Sequence, residues 1–237
     1  MNLLKEFSLN DTCSYLENKE QTTHYKIIDN CSKESCQELI ERGYRRFGKM
    51  YFRPICTDCN ECQSIKIDVN NFTFSKSAKR VLKKSSHIKT YIRHPSVSHE
   101  HIALFEKYHL YMHQRKGWEY SKTSIEHYYN SFVNGHEDFG YEVLYYFEDK
   151  LIAVDLIDIL DEGLSSIYFY YDPEFASYSL GKLSLYKQIQ FAQKSSKKWI
   201  YLGYYVEGCP SLSYKSEYKP YLTLQGRPTE YEKFIWI

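Results

Sequence analysis

The segment Ser165 to Gly181, Ser-Ser-Ile-Tyr-Phe-Tyr-Tyr-Asp-Pro-Glu-Phe-Ala-Ser-Tyr-Ser-Leu-Gly, constrains the fold more than any other part of the chain. Its aromatic and β-branched run favours a buried strand, Asp172-Pro173 ends that strand, and Ser177 to Gly181 leads into the periodic apolar run Leu183 to Gln193. A helix that opens there aims its free N–H groups at whatever lies beside the strand end. Strand, turn and helix start together leave room, and donors, for an acyl group.

The chain has 237 residues, 43% of them hydrophobic, which suits one large globular domain or two small ones. No apolar run approaches the ~18 residues of a membrane span, and Met1 to Asn10 lacks the basic and apolar regions of an export signal, so a cytoplasmic protein without a membrane partner is expected. Seven cysteines in such a chain argue for thiols or metal ligands over a disulfide framework.

The net charge of +1 conceals a strong segregation. Between Glu41 and His94 thirteen Lys or Arg face four Asp or Glu, a net of +9, which leaves −8 for the rest of the chain. A basic segment of that size suits phosphate binding, because each neutralised phosphate releases counterions. A solvated basic face is the plainer reading.

Periodicity predicts helices over Ser32–Arg42, Lys76–Lys84, Ser98–Arg115, Ser124–Phe132 and Lys182–Ser195. Strands are predicted over Lys49–Ile55 and Ile65–Val69, around the cysteine loop, and in Thr90–His99. A meander of Tyr141–Phe147, Leu151–Leu160 and Leu164–Tyr171 follows, then a strand over Trp199–Tyr204. The expected fold class is therefore mixed α+β. Two helices, three antiparallel strands, a helix and a strand resemble the element order of GNAT acyltransferases. The division expected is a cysteine-containing basic region over 1–84 and a GNAT-like transferase domain over 85–237.

Six motifs are more specific. Gly43-Tyr-Arg-Arg46, Phe52-Arg-Pro-Ile-Cys-Thr-Asp-Cys-Asn-Glu-Cys62, Ser165 to Pro173, Ser179-Leu-Gly181, Tyr201-Leu-Gly-Tyr-Tyr205 and Tyr214-Lys215 resemble, in order, the aminoacyl-tRNA-protein transferases of the N-degron pathway. The resemblance is nearer to the bacterial branch. It implies transfer of leucine from leucyl-tRNA to proteins beginning with Asp or Glu; related arginyl-transferases use arginyl-tRNA. Ser14 and Phe52 stand where the family often has Pro and Tyr.

The reactants limit what such an enzyme must do. An N-terminal α-amine titrates near pH 7.7–8.0 and the aminoacyl ester is already activated, so no strong nucleophile and no cofactor is required. The tasks are to hold amine and ester together, stabilise the oxyanion and steer one proton. Asp172 is the candidate base, with Tyr170, Tyr204 and Tyr205 as proton relays; capping a turn is the simpler role for an Asp-Pro pair. N–H groups of Tyr168 to Tyr171 or of the helix start at Gly181 are candidate oxyanion donors. Arg45, Arg46 and Arg53 suit an acceptor carboxylate through bidentate bonds, or else tRNA phosphates. Ser166, Tyr168, Gly181 and Lys215 complete the substrate-binding set.

Cys56-x2-Cys59-x2-Cys62 with Cys13 gives four thiols, enough for zinc or an iron–sulfur cluster, with plain or redox-sensitive thiols as the other reading. His109 and His113 share a helical face but read as surface residues. Two rival functions remain open. A CoA-dependent N-acetyltransferase is opposed by Gly181 being the one glycine at the helix start. A non-catalytic metal-containing nucleic-acid adaptor leaves the Ser165–Gly181 junction unexplained. Leucine against arginine is also open: Asp155, Asp158, Asp172 and Glu174 supply acids for an arginine pocket, while apolar walls for leucine abound.

Overall fold

Four helices begin where a serine can close them. In the computed structural model, which describes residues 1–237, Ser32, Ser75, Ser98 and Ser124 accept hydrogen bonds from the N–H groups three residues on, opening α1 (Lys33–Glu41), α2 (Lys76–Lys84), α3 (His99–Lys116) and α4 (Ile125–Tyr128). α4 continues as a π-helical turn, Tyr129–Val133, where a single helix was expected. α5 (Leu180–Lys194) and the short α6 (Pro210–Ser213) follow.

The strands form two sheets. β1 (Asn2–Thr12), β2 (Glu20–Asp29), β3 (Arg45–Phe47) and β4 (Met50–Pro54) make an antiparallel sheet in the order β1-β2-β4-β3. β5 (Gln63–Asp68), β6 (Lys89–Arg93), β7 (Gly140–Phe147), β8 (Lys150–Ile159), β9 (Gly163–Tyr171), β10 (Trp199–Tyr205) and β11 (Tyr221–Thr223) make the larger one, ordered β11-β5-β10-β9-β8-β7-β6. The meander β7–β8–β9, the crossover helix α5 and the parallel strand β10 are the GNAT-like core expected from the sequence. Residue 84 does not separate two cores, because β5 lies inside the large sheet and α2 packs on α5.

β8 is buried along nearly its whole length, so its pleat must satisfy two faces at once. Val154 and Leu156 pack under α3 and α4 with Tyr128, Phe132 and Tyr170. Ala153 and Ile157 point the other way, toward α5 and α2. Each fully buried aliphatic side chain contributes about 1.5–3 kcal/mol. The small sheet and α1 enclose a third core with Leu160 and Tyr201.

Consecutive arginines join the sheets. Arg46 is buried and forms a bidentate pair with Asp158 of β8 at 2.6 and 3.1 Å, its remaining donor meeting the carbonyls of Gly48 and Gly135. Asp158 holds the guanidinium pKa above its ordinary value despite the cost of burial. Arg45 enters the larger sheet elsewhere. β9 and β10 pair in parallel only from Gly163 and Trp199 to Ser165 and Tyr201, then part. Each strand bulges there, leaving Ile167 without a partner on β8 and Leu202 without one on β5. The Arg45 guanidinium occupies the opening and donates to the carbonyls of Ser166, Ile167 and Leu202 at 2.9, 2.8 and 3.0 Å.

Gly203 is shaped by this wedge. Its φ is +75°, and an added Cβ would lie 1.6 Å from Arg45 Nη1. Gly203→Ala is therefore expected to lower unfolding free energy by about 3 kcal/mol or more, since left-handed strain and a displaced guanidinium add. Urea unfolding measures this; a loss under about 1 kcal/mol would contradict the wedge geometry.

Candidate active site

A cavity of about 300 Å³ lies where β9 and β10 separate, under the first turns of α5. Phe169, Leu185, Leu202, Tyr214 and Tyr218 give it apolar walls. Ser166, Ser184 and Gln188 give it a polar side, Lys182 and Glu217 lie in its wall 3.9 Å from each other, and Gly181 lines it from the opening turn of α5. The helix starts there because Asp172 ends β9 and caps a 3-10 turn, Pro173–Tyr178, after which Ser179 takes a left-handed conformation. Strand, turn and helix start thus follow one another as Ser165 to Gly181 implied.

Two cations stand by this opening without a counter-ion. Arg45 bonds only to carbonyls. Lys215 is buried and donates to the carbonyl of Tyr204 at 2.6 Å, and neither residue forms a salt bridge. Burial, and then the Arg45 charge beside it, pushes the Lys215 ammonium well below its ordinary pKa. Such a pair favours an anionic partner.

The other expected site residues are placed differently. Asp172, 1% exposed, is held by Lys107 at 2.7 Å and Lys150 at 2.8 Å, and accepts from the Glu174 N–H. Burial would raise its pKa, but these partners hold the carboxyl below the usual range, so it is an ionised anchor and not a base. Tyr170 is fully buried with its hydroxyl 2.6 Å from that of Tyr128. The Tyr204 hydroxyl donates within hydrogen-bond range of the carbonyls of Gly43 and Phe52, tying β10 to the small sheet. Neither reaches the cavity as a relay. Tyr205 is half-buried against the α5-side core.

Arg46 is spent on Asp158 and is not free to hold a substrate carboxylate; Arg53 lies over the Tyr44 ring and gives Nη1 to the carbonyls of Arg42 and Pro228, while its buried Nε has no partner. Tyr168 faces α3, where its hydroxyl donates to His109 Nε2 at 2.8 Å while Nδ1 donates to the Phe105 carbonyl. Burial lowers the His109 pKa and favours that neutral form. His109 borders a polar space of about 410 Å³ between α3 and α4. Sequence reasoning missed Ser184 and Gln188, and weighed Asp155 only as an acid for arginine. Their signal was polar residues on faces whose neighbours are apolar.

Cys13, Cys56, Cys59 and Cys62 line one space of about 130 Å³ with Tyr15 and Tyr204. Burial, and then the neighbouring thiols, pushes the Cys62 pKa up to about 12. The donor type suits zinc or an iron–sulfur cluster, but no three His, Cys, Asp or Glu side chains are arranged to hold one ion. No helix is long and apolar enough to cross a membrane.

Two family models match in tandem: "Arginine-tRNA-protein transferase, N terminus" over residues 11–80 and "Arginine-tRNA-protein transferase, C terminus" over residues 100–225. The chain belongs to this transferase family. It is accordingly an aminoacyltransferase, and the junction at Gly181 lies within the C-terminal match. Among relatives named aspartate/glutamate leucyltransferase, that of Campylobacter jejuni 81116 is 49% identical over 97% of this chain and 96% of its own. The Helicobacter hepaticus protein is 40% identical over 100% and 98%, and that of Vibrio cholerae O395 is 31% identical over 91% of each. Among solved structures, L-PGS from Bacillus licheniformis superimposes with a TM-score of 0.49 at 15% identity, over 83% of this chain and 66% of that one.

For this transferase, Asp172→Asn is expected to cost about 1 kcal/mol of stability at pH 7 through the lost pairing with Lys107 and Lys150, since Asn keeps the cap. The transfer rate per folded molecule should change less than about threefold, far below the loss of a general base. Because the folded carboxyl titrates below its unfolded value of about 3.9, this stabilisation is present above that pH and lost as pH falls through the folded pKa. Urea melts of both proteins should therefore converge in acid; a gap that persists there would contradict the assignment.

Proposed function

We propose that this chain transfers leucine from leucyl-tRNA to the N-terminal α-amine of proteins that begin with Asp or Glu, the mark that N-degron degradation reads. The observation that carries this reading is the unpaired pair Arg45 and Lys215 beside an apolar cavity of acyl size. An acceptor carboxylate would supply the missing counter-ion of Lys215, and its approach would raise that ammonium's pKa again. Arg45, already bound to three carbonyls, adds positive potential without moving.

The chemistry then needs positioning more than activation. The neutral amine attacks the ester carbonyl, a C–N bond forms, the C–O bond to the ribose breaks, and one proton passes from nitrogen to the ribose oxygen. N–H groups along the parted edge of β9 and at the start of α5 are the donors this reading assigns to the oxyanion. The leucyl side chain fits against Phe169, Leu185, Leu202 and Tyr218. Asp158, Asp172 and Glu174 are already paired with basic residues, which leaves Asp155 behind the wall and Glu217 in the lining as the acids near the cavity, against a larger apolar surface that suits leucine.

The tRNA has a matching surface. α2 exposes Lys76, Lys79, Arg80, Lys83 and Lys84, and packs on α5, where Lys182 and Lys194 are exposed. Lys84 donates to the Ser177 carbonyl at 2.7 Å, which joins this basic face to the turn before the cavity. Gly181 alone does not make the glycine-rich pyrophosphate cradle that CoA would need.

Leucyl-tRNA and arginyl-tRNA offered in parallel should label an Asp-initiated peptide with leucine; labelling by arginine alone would overturn the donor assignment. Lys215→Met is expected to cut kcat/KM for Asp- and Glu-initiated peptides by about tenfold or more, the worth of a charge-assisted hydrogen bond. Donor-side single-turnover hydrolysis should be spared. Replacing Lys79, Arg80 and Lys83 by Glu should weaken tRNA binding by about tenfold or more at 0.1 M salt and flatten its salt dependence. An unchanged salt slope would remove α2 from the tRNA interface.

A further inference from the structure

Two buried acceptors beside the cavity have no donor. Asp155, fully buried on β8, accepts through Oδ2 from Ser184 Oγ at 2.6 Å and from Gln188 Nε2 at 2.8 Å, while its Oδ1 is unpartnered. Gln188 also donates through Nε2 to Ser166 Oγ at 3.1 Å. Both of its donor contacts fix the amide orientation, so the atom left over is Oε1, an acceptor, and it too is buried and unpartnered. Ser166, Ser184 and Gln188 lie in the cavity wall.

The Tyr145 hydroxyl, itself without a hydrogen-bond partner, lies near enough to Asp155 to feel its charge, but one donor does not meet two acceptors; an unmet buried acceptor is costly and favours a ligand that brings donors. No basic side chain neutralises Asp155; its charge is opposed by burial, which raises its pKa to about 7, and is supported only by Ser184 and Gln188. The group that meets these terms is compact, cationic and rich in N–H, and both reactants carry one: a primary α-ammonium.

We propose that the Gln188–Ser166 wall, backed by the Asp155 carboxylate, is a receptor for a primary α-ammonium at the end of the cavity opposite the apolar walls. Gln188 Oε1 and Ser166 Oγ offer acceptors, and Asp155 is a positioning residue that orients the amide and supplies the opposing charge. Held so, the amino acid's ammonium and side chain lie on different sides of the cavity and its ester is turned toward the parted strands. The inference rests on the leucyl-donor reading.

The probes are 3′-deoxy-3′-(leucylamino)adenosine, which mimics the donor and resists hydrolysis, and an Asp-initiated peptide, each with a free and an acetylated α-amine. Calorimetry on the wild-type chain should show the free-amine donor mimic binding about tenfold or more tighter than its acetylated form, as expected for hydrogen bonds to a charged group. Asp155→Asn should reduce that ratio to about threefold or less while the peptide ratio is unchanged, and Ser166→Ala, which removes one surface hydroxyl, should reduce it in part. If the peptide ratio falls instead, the receptor stands and the ammonium it holds is the acceptor's. If both ratios survive in folded variants, as judged by thermal unfolding, the receptor is overturned while the leucyl reading stands. If the wild-type chain binds no leucyl probe but is labelled with arginine, the donor reading fails first and takes the receptor with it.

Discussion

The opening between β9 and β10 depends on one guanidinium. Two parallel strands that begin to pair would ordinarily continue, because every unpaired backbone group in a buried sheet is costly. Here the pairing stops after Ser165 and Tyr201, and Arg45 supplies the donors that three stranded carbonyls would otherwise lack. The wedge satisfies the sheet and keeps it open. Gly203, the bulges at Ile167 and Leu202, and the cavity under α5 are consequences of that one placement.

The wedge requires its own support, and the next residue provides it. A strand sends consecutive side chains in opposite directions, so Arg46 leaves β3 away from Arg45 and meets Asp158 on β8. A buried ion pair is a weak source of net stability, but losing one partner is severe, so the pair fixes where β3 sits. Tyr204, bonded to the Gly43 and Phe52 carbonyls, adds a third tie between the sheets. The cysteine loop between β4 and β5 lies beside that tie, which connects the N-terminal motifs to the site.

Much of this was legible in the sequence. Apolar periodicity located α1, α2, α3 and α5, and alternation with turn signals located the meander. The hairpin β1–β2 was not expected, since β1 is mostly exposed and offers little apolar alternation to read. The site was harder for a physical reason. Sequence shows that Arg45, Arg46, Asp172 and Tyr170 are chemically able, but not whether a partner has already claimed them. Asp172 belongs to Lys107 and Lys150, and Tyr170 to Tyr128. Lys215 matters because it lacks a counter-ion and Gln188 because its Oε1 lacks a donor, and a missing partner is visible only in three dimensions.

Hydrogen–deuterium exchange with a hydrolysis-resistant leucyl-adenosine mimic tests most directly whether the wedge-held opening is the acyl site. The account predicts slowed exchange in Ser166–Tyr171, in the first turns of α5 from Leu180, and in Leu202–Tyr205. Protection confined to the α3–α4 space around His109 and Ser121, with none beside Arg45, would contradict it.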